Sequence, residues 1–154
     1  MNTDSKTEIT DDNLARQRLR LWLQMLKATR HVEGVLRDEL RSGYDTTLPR
    51  FDVLATLHAT PEGMKMSELS THLVVSNGNV TGVVDRLVSE GLAERTNMES
   101  DRRAFLVRIT EKGRVLMDEM TANHLEWIDK LFADVTETDA ARGISIMLDI
   151  RRKS

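Results

Sequence analysis

Ser76-Asn77-Gly78-Asn79-Val80-Thr81-Gly82-Val83-Val84-Asp85-Arg86-Leu87, followed by Glu90-Gly91-Leu92, decides the fold of this 154-residue chain. Val80, Val84 and Leu87 recur at helical spacing, which gives one apolar face and leaves small polar groups on the other. Ser76 is the expected N-cap and Gly91 the expected C-terminal stop. Upstream, Ser67 reads as the cap of a short helix through Leu73, with Val74-Val75 as the turn between the two. Downstream, Leu92–Thr96 and Ala104–Ile109 are β-prone, and the polar segment from Asn97 to Arg103 joins them as a hairpin.

The flanks are helical. Leu19, Trp22, Met25, Leu26, Val32, Leu36 and Leu40 recur every three or four positions, predicting a long amphipathic helix over 13–41 that stops at Ser42-Gly43. Thr47-Leu48-Pro49 starts another, with Phe51, Val53, Leu54 and Leu57 inward, and it ends at Thr60-Pro61-Glu62-Gly63. Thr110 caps a helix carrying Leu116, Met120, Trp127 and Leu131, and Thr136 with Asp139 opens the last one. The expected class is mainly α with a small β-hairpin wing. A winged helix-turn-helix lobe occupies 46–113, dimerisation helices 13–45 and 114–154, and a flexible tail 1–12. The outer helices have more apolar residues than a small central lobe can cover, so a second copy of the chain is the simplest partner.

Composition narrows the function. There is no cysteine, which removes disulfides, thiolate metal sites and thiol redox chemistry. The net charge is −3, but the four arginines between Arg95 and Arg108 outnumber the two acids there. Local charge matters more than the total for nucleic-acid binding. No apolar run is long enough to cross a bilayer, and the polar, acidic start is unlike a signal peptide, so a cytoplasmic location is expected. The histidines His31, His58, His72 and His124 form no metal-binding pair, and no phosphate loop or nucleophile elbow is present. The expectation is therefore a non-enzyme with no cofactor and no metal.

A helix inserted in the major groove needs a small, polar outer face. Ser76, Asn77, Asn79, Thr81 and Arg86 can supply amide, hydroxyl and guanidinium groups for bases and phosphates. Gly78 and Gly82 let the backbone come close. Capping alone is the competing explanation for Ser and Asn at a helix start. At the wing, Arg102 or Arg103 can enter a narrow minor groove while Asp101 orients a guanidinium; a solvated turn is the alternative.

Met66-Ser67-Glu68-Leu69-Ser70, Val80 to Leu87, Glu90-Gly91-Leu92, Ser100-Asp101-Arg102-Arg103 and Ile109-Thr110-Glu111-Lys112-Gly113 together resemble the multiple-antibiotic-resistance regulators, the MarR family. The resemblance runs from Leu14 to Ile150. It implies a homodimer with interlocked terminal helices, a repressor on a palindromic double-stranded DNA operator, and Asp101 bracing Arg103. It also implies release by a small aromatic or lipophilic effector bound between the dimer helices and the DNA-binding lobe. Trp22, Met25, His31, Tyr44, Phe51, His58 and Met64 are the candidate lining residues, with core packing as the competing explanation. Leu48 to Leu54 with Ser76 to Gly82 further resemble the branch governing hydroxycinnamate and related aromatic-acid catabolism, whose effectors are coenzyme A thioesters. Arg16, Arg18 and Arg20 would then meet the coenzyme A phosphates, unless they form a solvated helix face. A winged helix serving protein contacts, or a metal-responsive regulator, is the alternative.

Overall fold

In the computed structural model, the described residues are 4–73, 79–98 and 101–152, with side chains described from residue 12 onward except 101–103. The chain runs α1 (Asp4–Tyr44), α2 (Leu48–His58), β1 (Met64–Lys65), α3 (Met66–His72), α4 (Val80–Ser89), β2 (Ala93–Met98), β3 (Asp101–Ile109), α5 (Glu111–Leu131) and α6 (Glu137–Arg151). It is a mostly helical fold with a small three-stranded antiparallel sheet, ordered β1-β3-β2.

The caps explain most boundaries. Thr47 accepts the Arg50 amide and Pro49 sits in the first turn of α2. Thr110 accepts the Gly113 amide at 3.1 Å, and Thr136 accepts the Asp139 amide. Four boundaries differ from expectation. Helix α1 continues past Gly43 to Tyr44, and Asp45 takes the left-handed conformation at φ 48°, a role Asp tolerates because its side chain is short and polar. Helix also covers residues 4–12 of the expected tail. Helix α3 starts one residue before Ser67, with the Glu68 carboxylate accepting the Lys65 amide. The cap of α4 is Asn79, while Ser76 and Asn77 lie outside the described residues.

The wing is longer than expected, and β3 takes in Asp101, Arg102 and Arg103, which belong to the strand backbone. Met98 pairs with Asp101 beyond a register shift after Asn97. The strand β1, two residues that pair with Leu106 and Val107, has no counterpart in the sequence pattern.

The core is central. Leu36 and Leu40 of α1, Val53, Leu54 and Leu57 of α2, Leu69, Val84, Leu87, Val107, Met117 and Met120 are buried together. None of the α6 side chains is buried, and Leu14, Leu19, Trp22, Leu125, Ile144 and Ile150 are exposed.

One junction joins the lobe to α5. Thr110 donates its hydroxyl to the Gly91 carbonyl at 2.6 Å and its amide to the Leu92 carbonyl. A Cβ at Gly113 would lie 2.1 Å from the Leu92 carbonyl oxygen and 2.9 Å from Ile109 Cγ1. Backbone oxygen cannot move aside without breaking the junction. Helix propensity alone says Gly113→Ala gains about 1 kcal/mol, whereas overpacking costs about 1–3 kcal/mol. Gly113→Ala is expected to lower the urea unfolding midpoint; an unchanged or higher midpoint would refute the close approach.

Candidate nucleic-acid interface

Helix α4 presents three stripes. Val84 and Leu87 are fully buried, and Val80 packs beside them, as their spacing required. Thr81, Asp85 and Ser89, spaced four apart, share the exposed face roughly opposite the core. Asn79 and Arg86 lie on a third stripe with Gly82 and Val83, turned toward α1 and α2, where these residues line one side of a cavity. Thr81, Asn79 and Arg86 are all exposed, Thr81 on one side of the outward face and Asn79 and Arg86 on the side that borders α1 and α2.

Asn79 has a structural duty. Its side-chain oxygen accepts the Gly82 amide at 3.0 Å. A Cβ at Gly82 would meet Asn79 Nδ2 at 2.8 Å, so this glycine makes room for the cap. Gly82 therefore has a local packing role beside the expected close approach of backbone to DNA.

Two carboxylates tether the helix. Asp85 on the outward face pairs with Arg95 of β2 at 2.5 Å. Glu90 accepts from Arg86 Nε at 2.8 Å and also pairs with Arg50 of α2. Burial pushes the Arg50 guanidinium below its ordinary pKa, and the nearby Arg86 charge pushes the same way. Sequence reasoning missed both tethers; Asp85, Arg86 and Glu90 are visible there only as motif residues.

The wing residues Asp101, Arg102 and Arg103 occupy the first three positions of β3, at the end of the sheet that Met98 shares.

A separate cavity of about 430 Å³ lies between α1, α2 and α5, lined by Val32, Leu36, Leu48, Phe51, Asp52 and His124 among others. Its rim also includes Ala28, Thr29, Glu33 and Phe132. Of the seven expected lining residues, only Phe51 is there; its ring lies 4.9 Å from that of His124. Met64 is buried in the core, paired across to Val107. His58 pairs with Asp118 at 2.7 Å. Tyr44 packs edge-on against Trp127 and donates to Glu119 at 3.3 Å while accepting from Asn123. Trp22 and His31 are exposed on α1, and Met25 is half-buried. Arg16 pairs with Asp12, and Arg18 and Arg20 are exposed, about 12 Å or more along α1 from Ala28 at ~1.5 Å per residue.

Burial lowers the His124 pKa from its ordinary value, so the ring is neutral at pH 7. The unfolded chain then binds the extra proton more readily. The stability this group contributes is present above the ordinary His range and is lost as pH falls below it. Among the described residues, no three His, Asp or Glu side chains are grouped to hold a metal ion, and no helix is long and apolar enough to cross a membrane.

The cap gives a test. Asn79→Ala is expected to cost about 1 kcal/mol, and Gly82→Ala alone to give no gain. In an Asn79→Ala background the clash is gone, so Gly82→Ala should stabilise α4 by a few tenths of a kcal/mol up to about 1. Additive effects in this double-mutant cycle, followed by urea unfolding, would show that the two side chains do not share space.

Comparisons with known proteins agree with this geometry. Residues 46–105 match the sequence profile of the MarR family. The HTH-type transcriptional regulator PecS of Dickeya dadantii is 31% identical over 91 residues, covering 58% of this chain and 55% of PecS, so the chain spans about half of that relative's length. The HTH-type transcriptional repressor IacR of Pseudomonas putida is 29% identical over 131 residues, covering 84% of this chain and 74% of IacR. A MarR family regulator structure from Silicibacter pomeroyi superposes with a TM-score of 0.78 at 26% identity, covering 91% of this chain and 97% of that one. Two structures share the fold alone: Streptomyces coelicolor Sco3205 in complex with DNA, TM-score 0.78 at 17% identity over 89% and 87% of the two chains, and Bordetella bronchiseptica BpsR, whose DNA binding is regulated by 6-hydroxynicotinic acid, TM-score 0.75 at 18% identity over 86% and 98%. Profile, relatives and fold converge on one likeness: residues 46–105 match the MarR family profile, and the chain shares the winged-helix fold of MarR family regulators.

Proposed function

We propose that the protein is a homodimeric repressor that reads a palindromic operator with α4 and the wing and is released by an aromatic effector in the α1–α2–α5 cavity. The observation that carries the DNA reading is α4 itself: an apolar stripe locked in the core and an outward face of Thr81, Asp85 and Ser89 beside a wing strand that opens with Asp101, Arg102 and Arg103. In this reading Thr81 and Arg86 contact the major-groove side, Ser76 and Asn77 contact the DNA as well, and Asn79 contributes through the cap. Arg102 or Arg103 enters the minor groove, braced by Asp101.

Surface area supports the dimer. The single chain exposes 11598 Å², whereas a compact monomer of its mass exposes about 7,900 Å². Large apolar side chains are exposed on α1, α5 and α6, among them Leu19, Trp22, Leu125, Ile144 and Ile150. That distribution supports the proposed division into dimerisation helices and a DNA-binding lobe.

The cavity's chemistry narrows the effector. It carries Glu33, Asp52 and a neutral His124 and is otherwise lined mainly by apolar side chains, with no Lys or Arg among the described lining residues. A free carboxylate would meet the Glu33 carboxylate there, whereas a neutral aromatic head with a phenolic donor suits it. Esterification to coenzyme A removes the acid's charge, which favours the thioester over the free acid. Its phosphates would then lie outside, in the direction of Arg20, Arg18 and Arg16 along α1. This supports the hydroxycinnamate branch as the finer assignment.

Duplex binding by purified protein, measured at several salt concentrations, tests the regulator. The affinity should fall linearly on a log–log plot, and Arg103→Ala should weaken it strongly while sedimentation still shows a dimer. Salt-independent or absent duplex binding would leave protein partners as the function of the winged helix. For the effector, 4-hydroxycinnamoyl-coenzyme A should release the operator and 4-hydroxycinnamate should not. Phe51→Ala should raise the concentration needed about tenfold, equivalent to about 1.4 kcal/mol. No release by either compound at saturation would remove this effector class.

A further inference from the structure

A second cavity, about 560 Å³, opens where the last turns of α1 meet the start of α2 and the flanking stripe of α4. Four arginines line it: Arg37 and Arg41 from α1, Arg50 from α2 and Arg86 from α4, with no carboxylate among the described lining residues. Glu90 behind the cavity is shared by Arg50 and Arg86, and Asp45 acts on Arg50 from the side. Two carboxylates against four guanidiniums leave a net positive cavity.

Arg37 and Arg41 are the decisive pair. They stand one helical turn apart, both exposed, and neither has an ion-pair or hydrogen-bond partner among the described side chains. Like charges at this spacing repel weakly on a bare helix, and an anion between or beneath them would offset that repulsion. All four cations are arginine, whose planar fork suits the paired oxygens of a phosphate. The cavity wall on α4 is the stripe of Asn79, Gly82, Val83 and Arg86, adjacent to the outward face of Thr81 and Asp85. A phosphate seated here lies beside the major-groove surface rather than on it. That is the position of a backbone contact, which sets register without reading sequence.

We propose that this arginine cavity is a phosphate seat, filled by a backbone phosphodiester when duplex DNA is bound, with Arg37 and Arg41 of α1 as the residues that hold it. The DNA source rests on the regulator reading above; a free phosphate or diphosphate offers the same chemistry.

The experiment uses the full chain and the Arg37→Ala and Arg41→Ala variants, singly and together. Both side chains are exposed, so urea midpoints should stay at the wild-type value. Duplex affinity is measured against salt for an operator and for a random sequence, and inorganic pyrophosphate is titrated into DNA-free protein. The expected result is equal weakening on both duplexes and a log–log salt slope smaller by about 0.9 for each phosphate that is no longer neutralised. Unchanged affinity and slope, with pyrophosphate binding to wild type and not to the double variant, keeps the phosphate seat and overturns its DNA source. Unchanged affinity with no variant-sensitive pyrophosphate binding overturns the proposal. If wild type binds no duplex at all, the regulator reading fails on its own, and the pyrophosphate arm alone decides the cavity.

Discussion

The structure turns on the close approach of Gly113 to the Leu92 carbonyl. That oxygen also accepts the Thr110 amide, while Thr110 donates to Gly91 and Lys112 donates to the Glu90 carbonyl at 2.8 Å. Three elements therefore meet in one place: the end of α4, the base of the wing where Ala93 pairs with Ile109, and the first turn of α5. A side chain at 113 would hold α5 away and open the sheet base. Because α5 leaves this junction as a continuous helix, Met117 and Met120 reach the core and His124 reaches Phe51 without any loop to absorb displacement. The distance from junction to His124 is about 16 Å along the helix, at ~1.5 Å per residue.

Around that fixed point the orientation of α4 is set by ion pairs whose value is geometric. Exposed pairs contribute at most about 1 kcal/mol each, and Asp85 and Arg86 are both largely exposed. Their effect is to choose among rotations that hydrophobic packing alone tolerates. Arg95 draws the outward face toward the wing, and Glu90 ties the far end to α2. The Asp85–Arg95 pair also neutralises a carboxylate on the exposed face of α4.

The legible part of this structure is the part that local chemistry decides. Thr47, Thr110, Thr136 and Gly91 fall where capping rules put them, and Val80, Val84 and Leu87 face inward at helical spacing. The misplaced features depend on partners distant in sequence. Strand β1 is two residues that become a strand only because β3 extends beside them. The choice of Asp45 over Gly43 as the left-handed residue follows from Leu40, whose complete burial keeps the last turn of α1 wound. Of the aromatic and Met side chains that the sequence offers as effector contacts, Phe51 lines the α1–α2–α5 cavity. The Thr29, Val32, Glu33 and Leu36 stripe of α1 lines it too, and only the crossing of α2 and α5 selects that stripe.

Helix α2 is the wall between two cavities of opposite character. Phe51 and Asp52 face the α1–α2–α5 cavity, Pro49 and Arg50 face the arginine cavity, and Leu48 touches both. Arg50 is bonded through Glu90 to Arg86 on α4. A ligand that shifts α2 on the Phe51 side therefore moves a guanidinium on the other side and disturbs the tether of α4 in the same motion. Coupling between sites requires an element whose position both ligands bias. Helix α2, eleven residues long and shared by both cavities, is the element through which ligands bound on its two sides would be coupled.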